Sequence, residues 1–480
     1  MTDEMKKDTA PIRRSLIMMR SLYSGVSGLK VHQTGMDVIG NNIANVNTVG
    51  FKSQRATFSE LFYQTTQSAS GPNAATSTGG QNAKQIGLGS NVAQISVNIT
   101  NEGGSQSTGN DTDLKINGQE FFIVQKGGAD YYTKAGNFTT DGFGSLVTGS
   151  GGYVMGYTAE RDPLTGDFVL MTDELRPLSL YGEEYMLTAP NQTTAAKMTG
   201  NINSSDEDFT TDGLSYKTTD MYIYDSLGNT YNVQFRIEQD AGSTTGYSLS
   251  INKIFNGTDE VKSMGALFSY IDGQGNQVDD AISMPIQFDP TKGTVISNKT
   301  FSLSMFNATN GVVNDKADAN KYDTFPQDIT VDLGEMTNYG SDYSGVAYKG
   351  DGSIQNQGAG KAVGKMISVA IQTDGKIISS YDNGDTLCIG QIAVASFANA
   401  AGLEKIGDNL FASTLNSGMA NVNDVTAFGD DMSSGVLEMS NVDLATEFTN
   451  MIVTQRGYQA NSRVITTSDT MIEELLNLKR

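Results

Sequence analysis

Gly358-Ala359-Gly360-Lys361-Ala362-Val363-Gly364-Lys365-Met366 comes nearest in this chain to a phosphate-binding loop. Such a loop cradles phosphate on glycine backbone and holds magnesium with a Ser or Thr after its lysine. Here Ala359 takes the place of the required first glycine and Met366 that of the hydroxyl, so a plain glycine-rich loop is expected. Asp272-Gly273-Gln274-Gly275-Asn276 has some features of a calcium loop, but Gln274 stands at an acidic or Asn position and glycine is misplaced. Asp206-Glu207-Asp208 is expected to be a solvated acidic loop rather than a cation site. The one histidine, His32, rules out multi-histidine metal sites and reads as a packed or solvent-facing helix residue. The one cysteine, Cys388, lies between Leu387 and Ile389 and is expected to be a buried small apolar residue. No GxSxG, HExxH or CxxC pattern occurs. No catalytic residue, metal or cofactor is expected.

Composition points the same way. The 480 residues suffice for about two to four domains. They carry 32 basic and 54 acidic side chains, a net charge of −22, which argues against nucleic acid as a partner. A lone cysteine excludes an intramolecular disulfide framework. No apolar run approaches the ~18 residues of a membrane span, so no membrane insertion is expected. Near the start only Leu16-Ile17-Met18-Met19 is apolar, too short for a cleaved secretory signal. The stretch before Met18 is expected to be an unstructured arm or to lie upstream of the true start, with the second reading preferred.

The elements that would position any site fall into two kinds. From Ser21, every seventh residue along Leu22, Leu29, Met36 and Ile43 is apolar, and Val26 opens a companion line that turns polar at Gln33. At the other end the line Leu444, Met451, Tyr458, Ile465, Ile472 is apolar, with Phe448 and Leu476 closing a mostly polar companion. Each stripe predicts an amphipathic helix. One such helix ordinarily covers its own domain, but two matched stripes at opposite ends favour mutual pairing as a coiled coil. Polar companion lines suggest that each seam needs more than one partner helix. Asn441 or Asp443 is expected to cap the second helix.

Between them the chain reads as β. Alternating runs such as YNVQFRIEQ (231–239) and QIAVASF (391–397) are separated by turn pairs. Those pairs are Asn117-Gly118, Asp141-Gly142, Asn256-Gly257, Asp272-Gly273, Asp351-Gly352, Asp374-Gly375 and Asn383-Gly384. Residues 61–91 are too rich in Ser, Thr, Gln, Asn and Gly to fold alone and read as a polar linker or an assembly-ordered segment. Charge is partitioned too. Residues 1–60 carry 8 basic and 5 acidic side chains, residues 437–480 carry 4 and 6, and the middle holds the other 20 and 43. Near-neutral helical ends with an acidic body suit a polymer whose outside stays soluble.

The run Met36-Asp37-Val38-Ile39-Gly40-Asn41-Asn42-Ile43-Ala44-Asn45-Val46-Asn47-Thr48-Val49-Gly50-Phe51-Lys52 resembles the N-terminal motif of bacterial flagellar rod and hook proteins. Glu438-Met439-Ser440-Asn441-Val442-Asp443-Leu444, continuing through Met451-Ile452 to Gln455-Arg456-Gly457-Tyr458-Gln459-Ala460-Asn461, resembles the same family's C-terminal motif. Residues 114–157, 218–231 and 391–409 are similar to hook-type members. The resemblance implies a mainly β fold with paired α-helical termini, a split inner β domain and an inserted outer β domain. The corresponding ranges are 19–60 with 437–480, 92–160 with 346–436, and 161–345.

It also implies a structural subunit with no enzymatic activity, assembling with itself into a curved, flexible tube that passes torque from motor to filament. The alternative is a distal-rod or other axial protein, which the long insertion disfavours. Implied partners are further copies of the chain, the distal rod, the hook cap, the hook–filament junction proteins and the export apparatus. The implied location is the extracellular flagellum, reached through the flagellar channel. Asn41, Asn42, Asn45 and Asn47 can either satisfy the end of the first helix or hydrogen-bond to a neighbouring subunit, and Gly50 lets the chain turn before Phe51 docks. An adhesin or a secreted enzyme on a β scaffold would need an anchor or an acid–base pocket that the sequence does not display.

Overall fold

The computed structural model describes residues 9–72, 79–162, 168–204, 216–240, 242–243, 245–308, 322–341, 345–349 and 358–478. Asp206–Asp208 and the turn at Asp351-Gly352 lie outside the described residues. Two long helices, α1 (Thr9–Ala44) and α2 (Leu444–Asn477), bracket a body of β-strands. Residues 9–18, expected as an arm or as upstream of the true start, continue α1; residues 1–8 lie outside the described residues. Asp443 caps α2, its carboxylate accepting from Ala445 N at 2.9 Å and Thr446 Oγ1 at 2.7 Å. Those bonds hold the Asp443 carboxyl below the ordinary range, the Thr446 hydroxyl contributing most. Asn441, the rival cap, is used elsewhere.

The helices pack antiparallel, and Ile465 of the expected apolar line lies against Gly25 of α1. Ser21 faces Ser468, Gly28 faces Asn461, His32 faces Gly457, Gly35 faces Thr454, and Asn42 faces Glu447. Most of these layers recur every seventh residue, so the coiled-coil register holds, with small and polar side chains making much of the seam and Ile465 packing on Gly25 within it. A methyl on Gly28 would lie 2.7 Å from Asn461, and one on Gly457 would lie 2.5 Å from His32. Such close approach is what glycine permits. Leu22, Leu29, Met36, Ile43, Met451, Ile465 and Ile472 are half-buried, while Val26, Leu444, Phe448, Tyr458 and Leu476 are exposed. The heptad count found the period of the contact, and glycines at Gly25, Gly28, Gly35 and Gly457 bring the two backbones close along it.

Residues 61–91 contain paired strands as well, contrary to the linker expectation. Gln54–Glu60 pairs with Ser90–Val97, and Tyr63–Gln67 with Lys84–Gly87, forming one antiparallel ribbon. Ladder hydrogen bonds need no apolar side chains, so a polar sequence can still hold a ribbon when its base is anchored. The anchors lie on α1. Asn42 brackets Gln54, and Ser27 Oγ accepts from Ser90 N at 3.3 Å. His32 packs edge-on to Phe58.

The inner β body is stitched from both halves of the chain. Strand Tyr153–Arg161 pairs at its start with Phe121–Lys126 and further along with Thr386–Ile392. Leu114–Asn117 pairs with Asp431–Ser434 across the chain rather than turning at Asn117-Gly118 into a local hairpin. Adjacent Phe121 and Phe122 enter separate cores on opposite faces, as the pleat requires. Leu178, Leu180 and Tyr185 are buried in that same inner core, so it extends past the expected boundary at 160.

The outer domain runs from strand Ala195–Asn201 to strand Gly345–Lys349. Six strands and five strands form two sheets around one core, into which Tyr231, Val233, Phe235 and Ile237 alternate. The connection to the inner domain is double. Leu187 bridges to Lys365 and Asn191 to Lys361, placing the phosphate-loop look-alike in a crossing where Gly358 O accepts from Thr194 N and Ala195 N. Cys388 is only half-buried, its thiol directed at Gly390 O. Asp272 closes a hairpin loop by accepting from Gln274 N and Asn276 N.

Candidate assembly site

The two terminal motifs meet where α1 ends, α2 begins and the inner β body starts. Asn42 is wholly buried there. Its Oδ1 accepts from Gln54 N at 2.9 Å, and its Nδ2 donates to Gln54 O at 2.7 Å and Glu447 Oε1 at 3.1 Å. One amide thus joins helix, ribbon and second helix. Burial pushes the Glu447 carboxyl up, and the Asn42 bond opposes that shift. Asn45 closes the helix end by donating to Asn41 O at 2.9 Å and Asn41 Oδ1 at 3.0 Å, while Thr48 donates to Asn45. Asn41, Asn47 and Gly40 face solvent.

Gly50 then turns the chain at φ +66°, and a methyl there would sit 2.6 Å from Ala135 N. Beyond the turn Phe51 and Lys52 are buried. Lys52 Nζ donates to Glu438 Oε1 at 2.7 Å and to Asn101 O at 2.8 Å, both side chains being 1% exposed. Gly103 N donates to the same carboxylate oxygen at 2.9 Å. A buried ion pair of this kind adds specificity at a desolvation cost, and either half alone is strongly unfavourable. Lys405 donates to Lys52 O at 2.9 Å and sits 4.5 Å from the Phe51 ring centroid; its burial pulls the amine down to about 8. Lys134, deeper still, donates to Gly118 O at 2.6 Å and is pushed by burial to about 8, against the pull of Glu438.

Asn441 completes the junction. It accepts from Ser53 N at 2.7 Å and donates to Asn98 O at 2.8 Å and Asn101 O at 2.9 Å. Asn409 donates to Val49 O at 3.0 Å.

Along α2, Arg456 donates to Gln459 Oε1 at 3.2 Å, Gln455 is exposed, and Asn461 donates back to Gly457 O while packing on Gly28. Sequence reasoning missed Lys405, Asn409, the Lys52–Glu438 pair and the Gly457–His32 layer. Both partners of the ion pair lay inside the quoted motifs with opposite charge, and that was the available signal. Among the described residues no three His, Cys, Asp or Glu side chains gather as a metal site, and no helix is long and apolar enough to cross a membrane.

The site is therefore a hydrogen-bonded, buried junction from which the two helices extend. On α2, Leu444, Phe448 and Ile452 form one exposed apolar line, and Val453, Val464 and Met471 another.

Four family models fall on this architecture in order. Residues 22–52 match the flagella basal body rod protein model, and residues 115–196 the D1 domain of flagellar hook protein FlgE/F/G. Residues 187–353 match the flagellar basal body protein FlaE D2 domain, and 433–478 the flagellar basal body rod FlgEFG protein C-terminal model. These matches define the class as an axial protein of the bacterial flagellum.

Flagellar hook protein FlgE of Borreliella burgdorferi is 37% identical over 96% of this chain and all of its own length. The FlgE hook protein of Treponema pallidum is 34% identical with the same coverage. Flagellar basal-body rod protein FlgG of Bacillus subtilis reaches 29% over equal shares. The chain belongs to the flagellar hook protein family, structural subunits of the flagellum.

Proposed function

We propose that the exposed flanks of α1 and α2 are the surfaces through which copies of this chain pack into a hollow helical tube, a curved joint passing torque to the filament. The observation that supports this reading is the pair of apolar lines on α2, Leu444-Phe448-Ile452 and Val453-Val464-Met471. They lie on a helix that is also packed antiparallel against α1. Burying such a side chain is worth about 1.5–3 kcal/mol, so repeated contacts of this kind suit a helix wedged among several others. Heterologous contacts that do not close into a ring produce open growth.

The assembly residues in this reading are Leu22, Val26, Leu29, Met36, Ile43, Leu444, Phe448, Met451, Tyr458, Ile465, Ile472 and Leu476. The inner and outer β domains form the outer layers of the tube. Partners beyond the chain itself are the distal rod, the cap, the hook–filament junction proteins and the export apparatus, and the polymer is extracellular. The subunit travels through the flagellar channel without a cleaved signal and performs no catalysis.

Electron microscopy of the purified chain, with and without residues 437–480, tests the reading. Tubes from the intact chain and none from the truncated one are expected. A full-length protein that stays monomeric at high concentration with both helices ordered overturns it.

A further inference from the structure

Three Asn-Gly steps fall among the described residues, and the fold treats them differently. Asn117 ends a strand, and its Nδ2 donates to Asp431 Oδ2 at 3.2 Å and Ser433 Oγ at 3.0 Å. Asn383 is held harder. Its Nδ2 lies within reach of Thr188 Oγ1, Ala362 O and Asp385 Oδ2, its Oδ1 accepts from Asp385 N, and Gly384 N donates to Tyr381 O at 3.1 Å.

Asn256 has none of these restraints. It is exposed at the tip of an outer-domain hairpin, where Gly257 turns at φ +64°. Neither its side-chain amide nor Gly257 N makes a hydrogen bond within the described residues. The returning strand is only Asp259–Glu260, both exposed, and on its other side Asn256 is the last residue of the ladder, opposite Tyr231, so opening the tip breaks only these terminal rungs and the surface Lys253–Glu260 pair.

We propose that Asn256 is a site of spontaneous covalent modification, its side-chain amide cyclising onto the backbone nitrogen of Gly257. The deprotonated Gly257 nitrogen attacks Asn256 Cγ, a C–N bond forms, and ammonia leaves to give a succinimide. Solvent water then opens the ring at either carbonyl, yielding aspartate or isoaspartate. Glycine favours the attack because no Cβ crowds the nitrogen and the backbone can reach the closing conformation. The product places a further carboxylate beside Asp259 and Glu260. In the isoaspartate form it also lengthens the backbone by one methylene, which breaks the pairing of residue 256 with Asp259 and with Tyr231.

The test is incubation of the folded full-length protein at mildly alkaline pH, followed by peptide mapping by mass spectrometry and enzymatic methylation of isoaspartate. Conversion at Asn256 is expected to be about tenfold faster than at Asn117 or Asn383. In urea the three rates should converge, and Asn256→Gln should abolish labelling of the hairpin peptide. Equal or faster conversion at either restrained site, no conversion at Asn256, or an advantage that persists in urea overturns the proposal.

Discussion

Lys52 and Glu438 lie 386 positions apart in sequence and 2.7 Å apart in space, a buried pair among the bonds that tie the chain's two ends to its β body. Replacing Lys52 with Met alone leaves the Glu438 carboxylate buried and unpaired, and is expected to cost about 3–5 kcal/mol in urea unfolding. The double replacement Lys52→Met with Glu438→Leu should recover most of that loss; failure to recover would mean that the pair's geometry, not its burial, is what matters. Gly50→Ala meets both a positive φ and the Ala135 backbone, so a loss of about 1–3 kcal/mol is expected by the same measurement.

The lysines give a pH signature. Lys134 and Lys405 have folded values near 8, below the 10.5 of the unfolded chain, so the unfolded state binds more protons between those limits. Stability from these two groups therefore rises as pH climbs from about 8 to about 10.5. Lys405→Met should flatten that rise in urea midpoints measured across the window.

At the scale of elements, the helices and the ribbon show how pattern and contact part company. The apolar lines of α1 and α2 predicted helices, and helices formed. Their seam, however, follows Gly28, Gly35 and Gly457, where the backbones approach most closely. Gly28→Leu should push the helices apart and lower helicity measured by circular dichroism. Phe448→Asp combined with Ile452→Asp should leave the monomer's helicity intact and abolish tubes in electron micrographs. A variant that still polymerises would place the subunit contact on another face.

The ribbon offers a separate handle. Leu61 N donates to Gly89 O at 2.8 Å, so a tight turn joining these positions removes the outer hairpin without disturbing its base. Such a variant should fold normally and form tubes of altered bending stiffness; unchanged stiffness would remove the ribbon from any account of compliance.

For the molecule as a whole, the double crossing at 187–195 and 358–365 makes the outer domain an insertion with both ends side by side. Excising residues 195–349 and closing the gap with a short glycine linker should leave the inner body folded, with a thinner polymer. The large core shared by the two outer sheets is self-contained, which is why its removal need not expose the inner one.

Sequence alone determined that the ends are helical, that the middle is β and that the chain carries a flagellar axial signature, because side-chain period and turn pairs are local properties. Hairpin turns at Asn256-Gly257, Asp374-Gly375 and Asn383-Gly384 were legible for that reason. Only the tertiary structure decided which helix face is the seam, that Leu114–Asn117 reaches across the chain to Asp431–Ser434, and that a polar stretch pairs as a ribbon. Those outcomes depend on which backbones can approach one another and which buried polar groups find partners. Both are fixed by residues hundreds of positions away, so no local window contains them.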